Sequence, residues 1–392
     1  MIQPKTTKKF SKNEMAIVAK AAKNMSIVQK GLKENIEFST ELPLIVGFKL
    51  TNRCNLRCKT CYEWNEQGYH HNMSEQMKNQ DLDPELFDKV MRETQPVKSN
   101  IYLWGGEPLF HSEFSKLSYV LEREKRITAM CTNGILIDKR MDDILRFDHN
   151  LELLIAVDGF EEENDGIRGK GNYQKVINNI KTLLEMRKKG EFHGKISIHC
   201  VLSGSMVDKM YDFLEYMEEL GVDYVIVCFP WYISEDTQDR MDRYYEEHFG
   251  TCNNSVASWH AFKFKYPEGE YEKIFAAHKR ISERVWKNQV KFQPNLELDQ
   301  IVPFLEDKNV VQNTYCCYSV ADRMEVLADG TVTTCKHFPE FVVGDLHKNS
   351  VKEIWKNEDY NKIRRTIQCG NMPVCTKCNN LYLHGRKQEK ES

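Results

Sequence analysis

The sequence lacks any run of about 18 apolar residues, although hydrophobic residues make up 41% of its 392 positions, so no membrane span is expected. Its first ten residues, MIQPKTTKKF, contain no apolar stretch of the kind that a secretory signal needs. An excess of either charge is also missing, because 55 Lys and Arg residues face 58 Asp and Glu residues. We therefore expect a cytoplasmic chain with a sizeable core and no nucleic-acid or membrane partner.

Cysteine, in contrast, is plentiful, with 13 residues in the chain. Most of them fall into two groups, at 54–61 and at 316–378. Disulfide frameworks are typical of much shorter secreted chains. Grouped cysteines in a chain without a secretion signal instead indicate metal binding, by either zinc or iron–sulfur.

Short β-rich runs alternate with amphipathic segments from residue 44 to residue 231. The predicted strands are 44–51, 100–106, 126–134, 151–159, 195–202 and 224–231. The predicted helices lie near 84–95, 112–125, 138–147, 173–190 and 205–220. Such alternation predicts an α/β fold with a parallel sheet and right-handed crossovers. Ligands in these folds bind at the C-terminal ends of the strands.

The chain divides into four expected parts. They are a lysine-rich helical N-terminal extension (1–43), the α/β part (44–231), a helical linker or cap (232–312) and a cysteine-rich C-terminal part (313–392). The linker is expected to contain helices near 236–248 and 268–290, without an alternation of strands and helices. In the C-terminal part, Asp329-Gly330 predicts a β-hairpin, and Ser350 with Glu353 predicts a capping box at the start of a helix over 350–367.

The first cysteine group has the spacing Cys-x3-Cys-x2-Cys and directly follows the first predicted strand, with Cys54, Cys58 and Cys61. Three thiolates on one short loop can hold three corners of a cubane cluster and leave the fourth iron open. A zinc site would need a fourth protein ligand, for which His70 and His71 are the nearest imidazoles.

This pattern resembles the radical S-adenosylmethionine (SAM) superfamily, and later strand ends strengthen the resemblance. The second, third and fourth strands end in Gly105-Gly106-Glu107, in Asn133 and in Asp158, and the next loop contains Arg168. The resemblance implies a partial (β/α)6 TIM-like barrel that binds SAM and a 4Fe–4S cluster. It also implies cofactor-binding roles for these residues: the glycines and Glu107 would receive the SAM amino group, Asn133 would lie near its ribose, and Arg168 would pair its carboxylate.

One position departs from the usual pattern of the superfamily. An aromatic residue normally precedes the third cysteine, whereas here Thr60 stands there and Tyr62 follows Cys61. Tyr62 is therefore a candidate for the contact with adenine, and the sixth strand at 225–229 is the other.

The second cysteine group resembles the C-terminal SPASM/twitch domain of radical SAM enzymes. Cys317-x12-Gly330-x4-Cys335 is followed by Cys375-x2-Cys378, which resembles the twitch form found in the aminocyclitol dehydrogenase of butirosin biosynthesis. The resemblance implies one auxiliary 4Fe–4S cluster held by these four cysteines. Cys316 and Cys369 are reserve ligands or buried thiols, and a zinc ribbon is the competing interpretation of this group.

The resemblance implies an enzyme that cleaves SAM with an electron from flavodoxin or ferredoxin and abstracts hydrogen from a substrate carbon. Oxidation or cross-linking of a peptide is the main hypothesis. The alternatives are a sugar or aminocyclitol dehydrogenase, a peptide epimerase, and a structural zinc or DNA-binding module, which the balanced charge disfavours. Cys228 is the candidate hydrogen donor and His199 a candidate substrate contact, although both residue types are more often simply packed in the core.

Overall fold

The computed structural model describes residues 3–251, 257–308, 315–384 and 386–387. Its strands are β1 (Lys5–Thr6), β2 (Ile45–Lys49), β3 (Asn100–Trp104), β4 (Thr128–Thr132), β5 (Leu151–Ala156), β6 (Lys195–Val201), β7 (Tyr224–Cys228), β8 (Val285–Trp286), β9 (Gln289–Gln293), β10 (Tyr315–Cys316), β11 (Arg323–Val326), β12 (Thr331–Thr333), β13 (Val342–Asp345) and β14 (Arg386–Lys387).

The helices connect and cover these strands. They are α1 (Lys12–Glu34), α2 (Glu75–Lys78), α3 (Pro84–Glu93), α4 (Phe114–Glu124), α5 (Met141–Leu145), α6 (Glu161–Arg168), α7 (Asn172–Lys189), α8 (Gly204–Val207), α9 (Met210–Leu220), α10 (Glu235–Phe249), α11 (Tyr271–Glu283), α12 (Leu298–Leu305), α13 (Ser319–Asp322), α14 (Val351–Trp355), α15 (Glu358–Cys369) and α16 (Asn379–His384). None of the helices in the described ranges has both the length and the apolar character needed to cross a bilayer.

Ten strands form one sheet in the order β13-β12-β11-β2-β3-β4-β5-β6-β7-β9. From β11 to β9 every neighbouring pair is parallel, whereas β12 and β13 are added antiparallel. The six strands predicted from the sequence are β2 to β7, and they occur in the expected order. The α/β fold with a partial (β/α)6 TIM-like barrel is therefore confirmed.

Alternate residues of each strand face opposite sides of the sheet. In β3, Ile101 and Leu103 are at most 2% exposed and belong to the apolar core between sheet and helices. Tyr102, which lies between them, instead lines a cavity in the barrel interior. The following strands alternate in the same way. One face of the sheet therefore lines the cavity inside the barrel, and the other packs against the helices.

The segment 232–312 differs from the expected helical linker because it contributes a strand to the sheet. β9 pairs in parallel with β7, from Tyr224 opposite Gln289 to Cys228 opposite Gln293. Buried and more exposed residues alternate in β9, in which Val290 and Phe292 are buried. This run has only five residues and overlaps the end of the predicted helix over 268–290, so it was not predicted as a strand. Helix α11 in fact ends at Glu283.

The predicted hairpin is confirmed, with Gly330 at its tip in the left-handed region (φ +81°). Its first strand, β11, also pairs in parallel with β2, so that Arg323 lies opposite Ile45 and Val326 opposite Phe48. The C-terminal part and the barrel therefore share one sheet. The predicted capping box of Ser350 and Glu353 is present as well, although the helix divides into α14 and α15.

Candidate active site in the barrel interior

The first cysteine loop (54–61) is tied to its surroundings by backbone and side-chain contacts. The hydroxyl of Thr51, just before the loop, donates to the carboxylate of Asp81 at 2.6 Å. Within the loop, the amide of Lys59 donates to the carbonyl of Ile167 at 3.0 Å, at the end of α6. The position of the three thiols is thus fixed by β2 on one side and α6 on the other.

Gly105 and Gly106 lie directly against the backbone of this loop. A Cβ atom on Gly105, whose φ is +139°, would lie 2.5 Å from the carbonyl oxygen of Thr51, and one on Gly106 would lie 2.1 Å from that of Arg53. Only glycine permits so close an approach. The strand ends of β2 and β3 therefore meet where the sequence predicts the amino group of SAM to bind.

Glu107 connects the ends of β3 and β4. Its carboxylate, 1% exposed, accepts hydrogen bonds from the hydroxyl of Thr132 and the amide of Asn133, each at 2.7 Å, and from the amide of Leu109 at 3.1 Å. Burial raises the pKa of Glu107 to about 7 in spite of these bonds. The side-chain amide of Asn133 also donates to Asn55 at 2.8 Å, so both residues brace the first cysteine loop.

Arg168 and Asp158 form a buried ion pair beside the loop, with Nε and Oδ2 2.7 Å apart. The other oxygen of Asp158 accepts from the amide of Val201 at 2.8 Å. Burial lowers the pKa of Arg168, but the charge of Asp158 more than offsets this and raises it overall. Nη1 of Arg168 lies 3.8 Å from Sγ of Cys58, which places the cation next to the candidate metal ligands.

Cys54, Cys58 and Cys61 are free thiols, of which Cys58 is buried and the other two are partly exposed. Burial raises the pKa of all three, that of Cys61 to about 12, and nearby negative groups add to the effect, whereas the charge of Arg168 opposes it at Cys58. Backbone amides of Leu56 and Trp64 donate to the sulfurs of Cys54 and Cys61, both at 3.4 Å. A bound metal centre would supply the positive charge that these thiols need to ionise.

The spacing of the sulfur atoms argues against zinc. A tetrahedral zinc with Zn–S bonds of about 2.3 Å holds its sulfurs about 3.8 Å apart. Among the described residues, no three cysteine sulfurs lie within 4.8 Å of one another. The nearest imidazoles are also engaged, because Nε2 of His70 lies 2.9 Å from Nζ of Lys49 and Nε2 of His71 lies 2.9 Å from the carbonyl oxygen of Asn65. Three thiols that are not gathered at zinc-site spacing fit a cubane cluster with one open iron.

The second cysteine set, Cys317, Cys335, Cys375 and Cys378, lines a single small cavity. Burial raises the pKa of Cys317 to about 12 and that of Cys335 and Cys375 as well, with a further contribution from neighbouring thiols of the set. Four thiols around one cavity fit a fully ligated 4Fe–4S cluster. The side chains of Cys316 and Cys369, the reserve ligands, lie outside the described residues.

The two cysteine sets lie at opposite ends of the barrel. The first loop follows the C-terminal end of β2, whereas Cys317 precedes the parallel strand β11. Cys335 follows the antiparallel strand β12 and so returns to the same N-terminal end of the sheet. The barrel interior therefore lies between the two candidate cluster sites.

A cavity of about 380 Å³ occupies this interior. Tyr62 is part of its wall, stacked on Phe262 with ring centroids 4.4 Å apart and near Trp231 at 6.2 Å. The two predicted catalytic side chains also border the cavity, with Nε2 of His199 2.9 Å from Sγ of Cys228. The structure thus brings Tyr62, His199 and Cys228 to one site.

Sequence reasoning missed a second polar group in the cavity. The hydroxyl of Tyr102 lies 2.7 Å from Sγ of Cys131. Nζ of Lys336 donates to the same hydroxyl at 2.8 Å and lies 5.4 Å from the ring centroid of Trp104. No motif marks these residues; the only available signal was the inward-facing alternation of β3 and β4.

A buried ionic cluster behind the first cysteine loop was missed as well. Nζ of Lys49 lies 2.8 Å from Oε1 of Glu63 and 3.0 Å from the hydroxyl of Tyr69, which itself donates to Glu63 at 2.9 Å. His70 completes the cluster, and burial lowers its pKa to about 3. These groups fix the chain that follows Cys61 against β2.

Comparison with known families assigns both cysteine regions. Residues 48–217 match the model of the Radical SAM superfamily. Residues 316–379 match the SPASM model, which is described as an iron–sulfur cluster-binding domain. Both matches enclose the cysteine sets described above.

Curated relatives are similar over part of their length. The sporulation killing factor maturation protein SkfB of Bacillus subtilis is 25% identical over 46% of this chain and 41% of its own. The mycofactocin maturase MftC of Mycolicibacterium smegmatis is 27% identical over 46% of this chain and 43% of its own. The match thus spans less than half the length of either relative.

Solved structures share the fold over nearly the whole chain. Streptococcus suis SuiB bound to the precursor peptide SuiA is 15% identical, with a TM-score of 0.61 over 96% of this chain and 77% of that one. Native anSMEcpe with bound AdoMet is 16% identical, with a TM-score of 0.53 over 89% of this chain and 92% of that one.

Proposed function

Because this chain carries a radical SAM domain followed by an iron–sulfur cluster-binding SPASM domain, we propose that it modifies a peptide oxidatively by radical chemistry. The cofactors are SAM and 4Fe–4S clusters. We assign the SAM-binding cluster to Cys54, Cys58 and Cys61 and one auxiliary cluster to Cys317, Cys335, Cys375 and Cys378. The observation that carries the proposal is the position of the barrel cavity between these two sets of free thiols.

When bound, the cofactors supply one-electron cleavage of the sulfonium and a 5′-deoxyadenosyl radical that abstracts hydrogen. The chain itself binds, orients and excludes water. Gly105 and Gly106 leave room for the SAM amino group, and Arg168 offers a guanidinium beside Cys58 for the carboxylate. Glu107 already accepts three hydrogen bonds, so we assign it the positioning of these loops. Flavodoxin or ferredoxin is the proposed electron donor.

Two observations favour a peptide substrate. The names of SkfB and MftC are those of maturation proteins, and one fold neighbour was solved with a precursor peptide. The cavity wall contains the aromatic group Tyr62, Trp231 and Phe262, which can enclose apolar side chains of a peptide and exclude water from a carbon radical. Cys335 is followed by two cavity-lining residues, so the auxiliary site adjoins the substrate site.

The proposal is tested with anaerobically reconstituted protein, SAM, dithionite and a short peptide encoded beside the gene. The expected products are 5′-deoxyadenosine and a peptide that has lost two hydrogen atoms, detected by mass spectrometry. Absence of 5′-deoxyadenosine would refute the whole proposal. Formation of 5′-deoxyadenosine with an unchanged peptide mass would refute oxidation of that peptide, and dehydrogenation of a sugar or aminocyclitol would then be tested with the same assay.

Epimerisation of a peptide is the second candidate, favoured by the thiol of Cys228 in the cavity next to His199. The Cys228 S–H bond would break to give one hydrogen atom to the substrate radical. The resulting thiyl radical would be restored by one electron from the reductant and one proton from water. In D2O this reaction adds one deuterium per product, and C228S would abolish the incorporation while C131S, a matched cavity cysteine, would retain it.

A further inference from the structure

The barrel cavity contains basic side chains and no carboxylate. Lys263, Arg323 and Lys336 line it, and no Asp or Glu does so in the part of the chain that the structure describes. Arg323 is paired with Glu325, and Lys263 donates to the side-chain oxygen of Gln238 at 3.1 Å. Neither Lys263 nor Lys336 has a carboxylate within 4.0 Å among the described residues. Both ammonium groups are thus available to a substrate, and Lys336 is the one next to His337.

His337, the next residue, offers two ring nitrogens to the cavity. It is 3% exposed, and neither ring nitrogen has a hydrogen-bond partner within the described ranges. Asn379, which is 8% exposed, lines the same cavity, and its side-chain oxygen has no hydrogen-bond partner among the described residues. Because buried polar groups are nearly always hydrogen-bonded, these unpaired atoms mark a place where a polar ligand group belongs.

The position of Lys336 and His337 is well defined. Nζ of Lys336 lies 4.3 Å from the ring centroid of Tyr102 and donates to its hydroxyl. The ring of His337 packs edge-on against Trp231, with centroids 4.2 Å apart. These contacts hold two hydrogen-bond donors at fixed positions in the cavity wall. A site whose donors are fixed beforehand loses little entropy when a ligand binds.

We propose that Lys336 and His337 form a subsite for a carboxylate group of the substrate. This inference rests on the proposed function only in placing the substrate in the barrel cavity. One carboxylate oxygen would accept from the ammonium of Lys336 and the other from a ring N–H of His337, as in other charge-assisted pairs. The substrate is thus an acid, either a peptide with an acidic side chain or a sugar acid.

The carboxylate of SAM is not the ligand of this subsite. Gly105, Gly106 and Arg168, to which we assign the methionine end of SAM, do not line the cavity. Lys336 and His337, in contrast, lie in the cavity wall. Anchoring the substrate acid there would fix the position of the rest of the substrate in the cavity, so the subsite would select which carbon is attacked.

The test uses full-length, reconstituted protein with SAM and measures Kd by ligand-observed NMR. The probes are N-acetyl-glutamate N-methylamide and D-glucuronate, each compared with its neutral amide, the glutamine derivative and D-glucuronamide. At least one acid is expected to bind about tenfold more tightly than its amide. The ratio of the Kd of the amide to the Kd of the acid is therefore about ten in the wild type. We expect it to fall to about one in K336M and to about three in H337F, and to stay close to the wild-type value in K336R.

A matched control is K291M, because Lys291 also lies over a tyrosine ring, at 5.6 Å from the centroid of Tyr224, but does not line the cavity. K291M should keep the wild-type ratio. Equal binding of both acids and their amides, or an unchanged ratio in K336M, would overturn the subsite. Release of 5′-deoxyadenosine by the same preparation tests the proposed function separately, and preference for the glutamate or the glucuronate probe distinguishes a peptide from a sugar acid.

Discussion

The imidazole Nε2 of His199 lies 2.9 Å from the sulfur of Cys228. The two residues are diagonal neighbours on adjacent strands, because Val201 of β6, two residues after His199, pairs with Cys228 of β7. Side chains two residues apart share a face of the sheet, so both point into the cavity. Burial, together with the charges of Lys336 and Arg168, lowers the pKa of His199 to about 4.

This low pKa predicts a pH-dependent loss of stability that belongs to His199. Below about pH 6.5 the unfolded chain binds a proton that the folded chain excludes until about pH 4, so the folded state is disfavoured as the pH falls. Between pH 8 and pH 5 the free energy of unfolding should fall by about 2 kcal/mol more in the wild type than in H199Q. Urea unfolding at three pH values measures this difference. Parallel pH curves for the two proteins would contradict it, and H149Q, at an exposed histidine, serves as the control.

The two cysteine sets should lose iron independently. Wild-type protein is expected to contain about eight iron atoms per chain after reconstitution, and C58A and C375A about four each. C58A should release no 5′-deoxyadenosine, because the iron that binds SAM is gone. Cys131 provides the control, since it lines the cavity but belongs to neither set, and C131A should retain all iron. Loss of all iron in both variants would show that the sets do not hold separate clusters.

A methyl group at Gly106 should separate the two loops that meet there. The added Cβ would lie 2.1 Å from a backbone oxygen of Arg53, so G106A must displace the loop that follows β3 and should weaken SAM binding at least about tenfold. Equilibrium dialysis with labelled SAM measures the affinity, and circular dichroism verifies the fold. Gly166 has nothing within 4 Å of such a Cβ, and G166A should bind SAM normally. If G106A and G166A bound SAM with equal affinity, the close contact between the two loops would not be required for SAM binding.

Removing the cation of the buried cluster should destabilise the protein strongly. K49M leaves the carboxylate of Glu63 charged and unpaired in a buried site, at a cost of about 3–5 kcal/mol in the free energy of unfolding. The double variant K49M/E63Q should recover part of this loss. K188M removes an exposed lysine paired with Glu185 and should change the free energy by less than about 0.5 kcal/mol. A loss in K49M no larger than that in K188M would contradict the prediction.

Local patterns were sufficient to predict the six barrel strands and the first cysteine loop. Each predicted strand is a run of apolar residues or of alternating apolar and polar residues. Each site residue assigned to a strand end closely follows, in the sequence, the strand that positions it. Gly330 could be placed at a hairpin tip for the same reason, because a tight turn requires a residue that tolerates positive φ. Where sequence neighbours determine structure, the sequence alone was informative.

Contacts between distant segments could not be predicted in this way. Glu325 is buried in the space that Gly47 of β2 leaves free, since a Cβ there would be 1.9 Å from its carboxylate. Neither residue identifies the other in the sequence, yet this contact accompanies the pairing of β11 with β2. Tyr102 and Lys336, 234 positions apart, are a similar case, because only the folded sheet brings them together.

The pairing of β11 with β2 would also fix the distance between the two proposed cluster sites. Arg323 lies level with Ile45, and Lys49 ends β2 four residues further along, a rise of about 13 Å at about 3.3 Å per residue. Because hydrogen bonds between adjacent strands resist sliding, this length serves as a rigid spacer. Electron tunnelling between clusters at its two ends would therefore proceed over a constant gap, without waiting for a hinge to close.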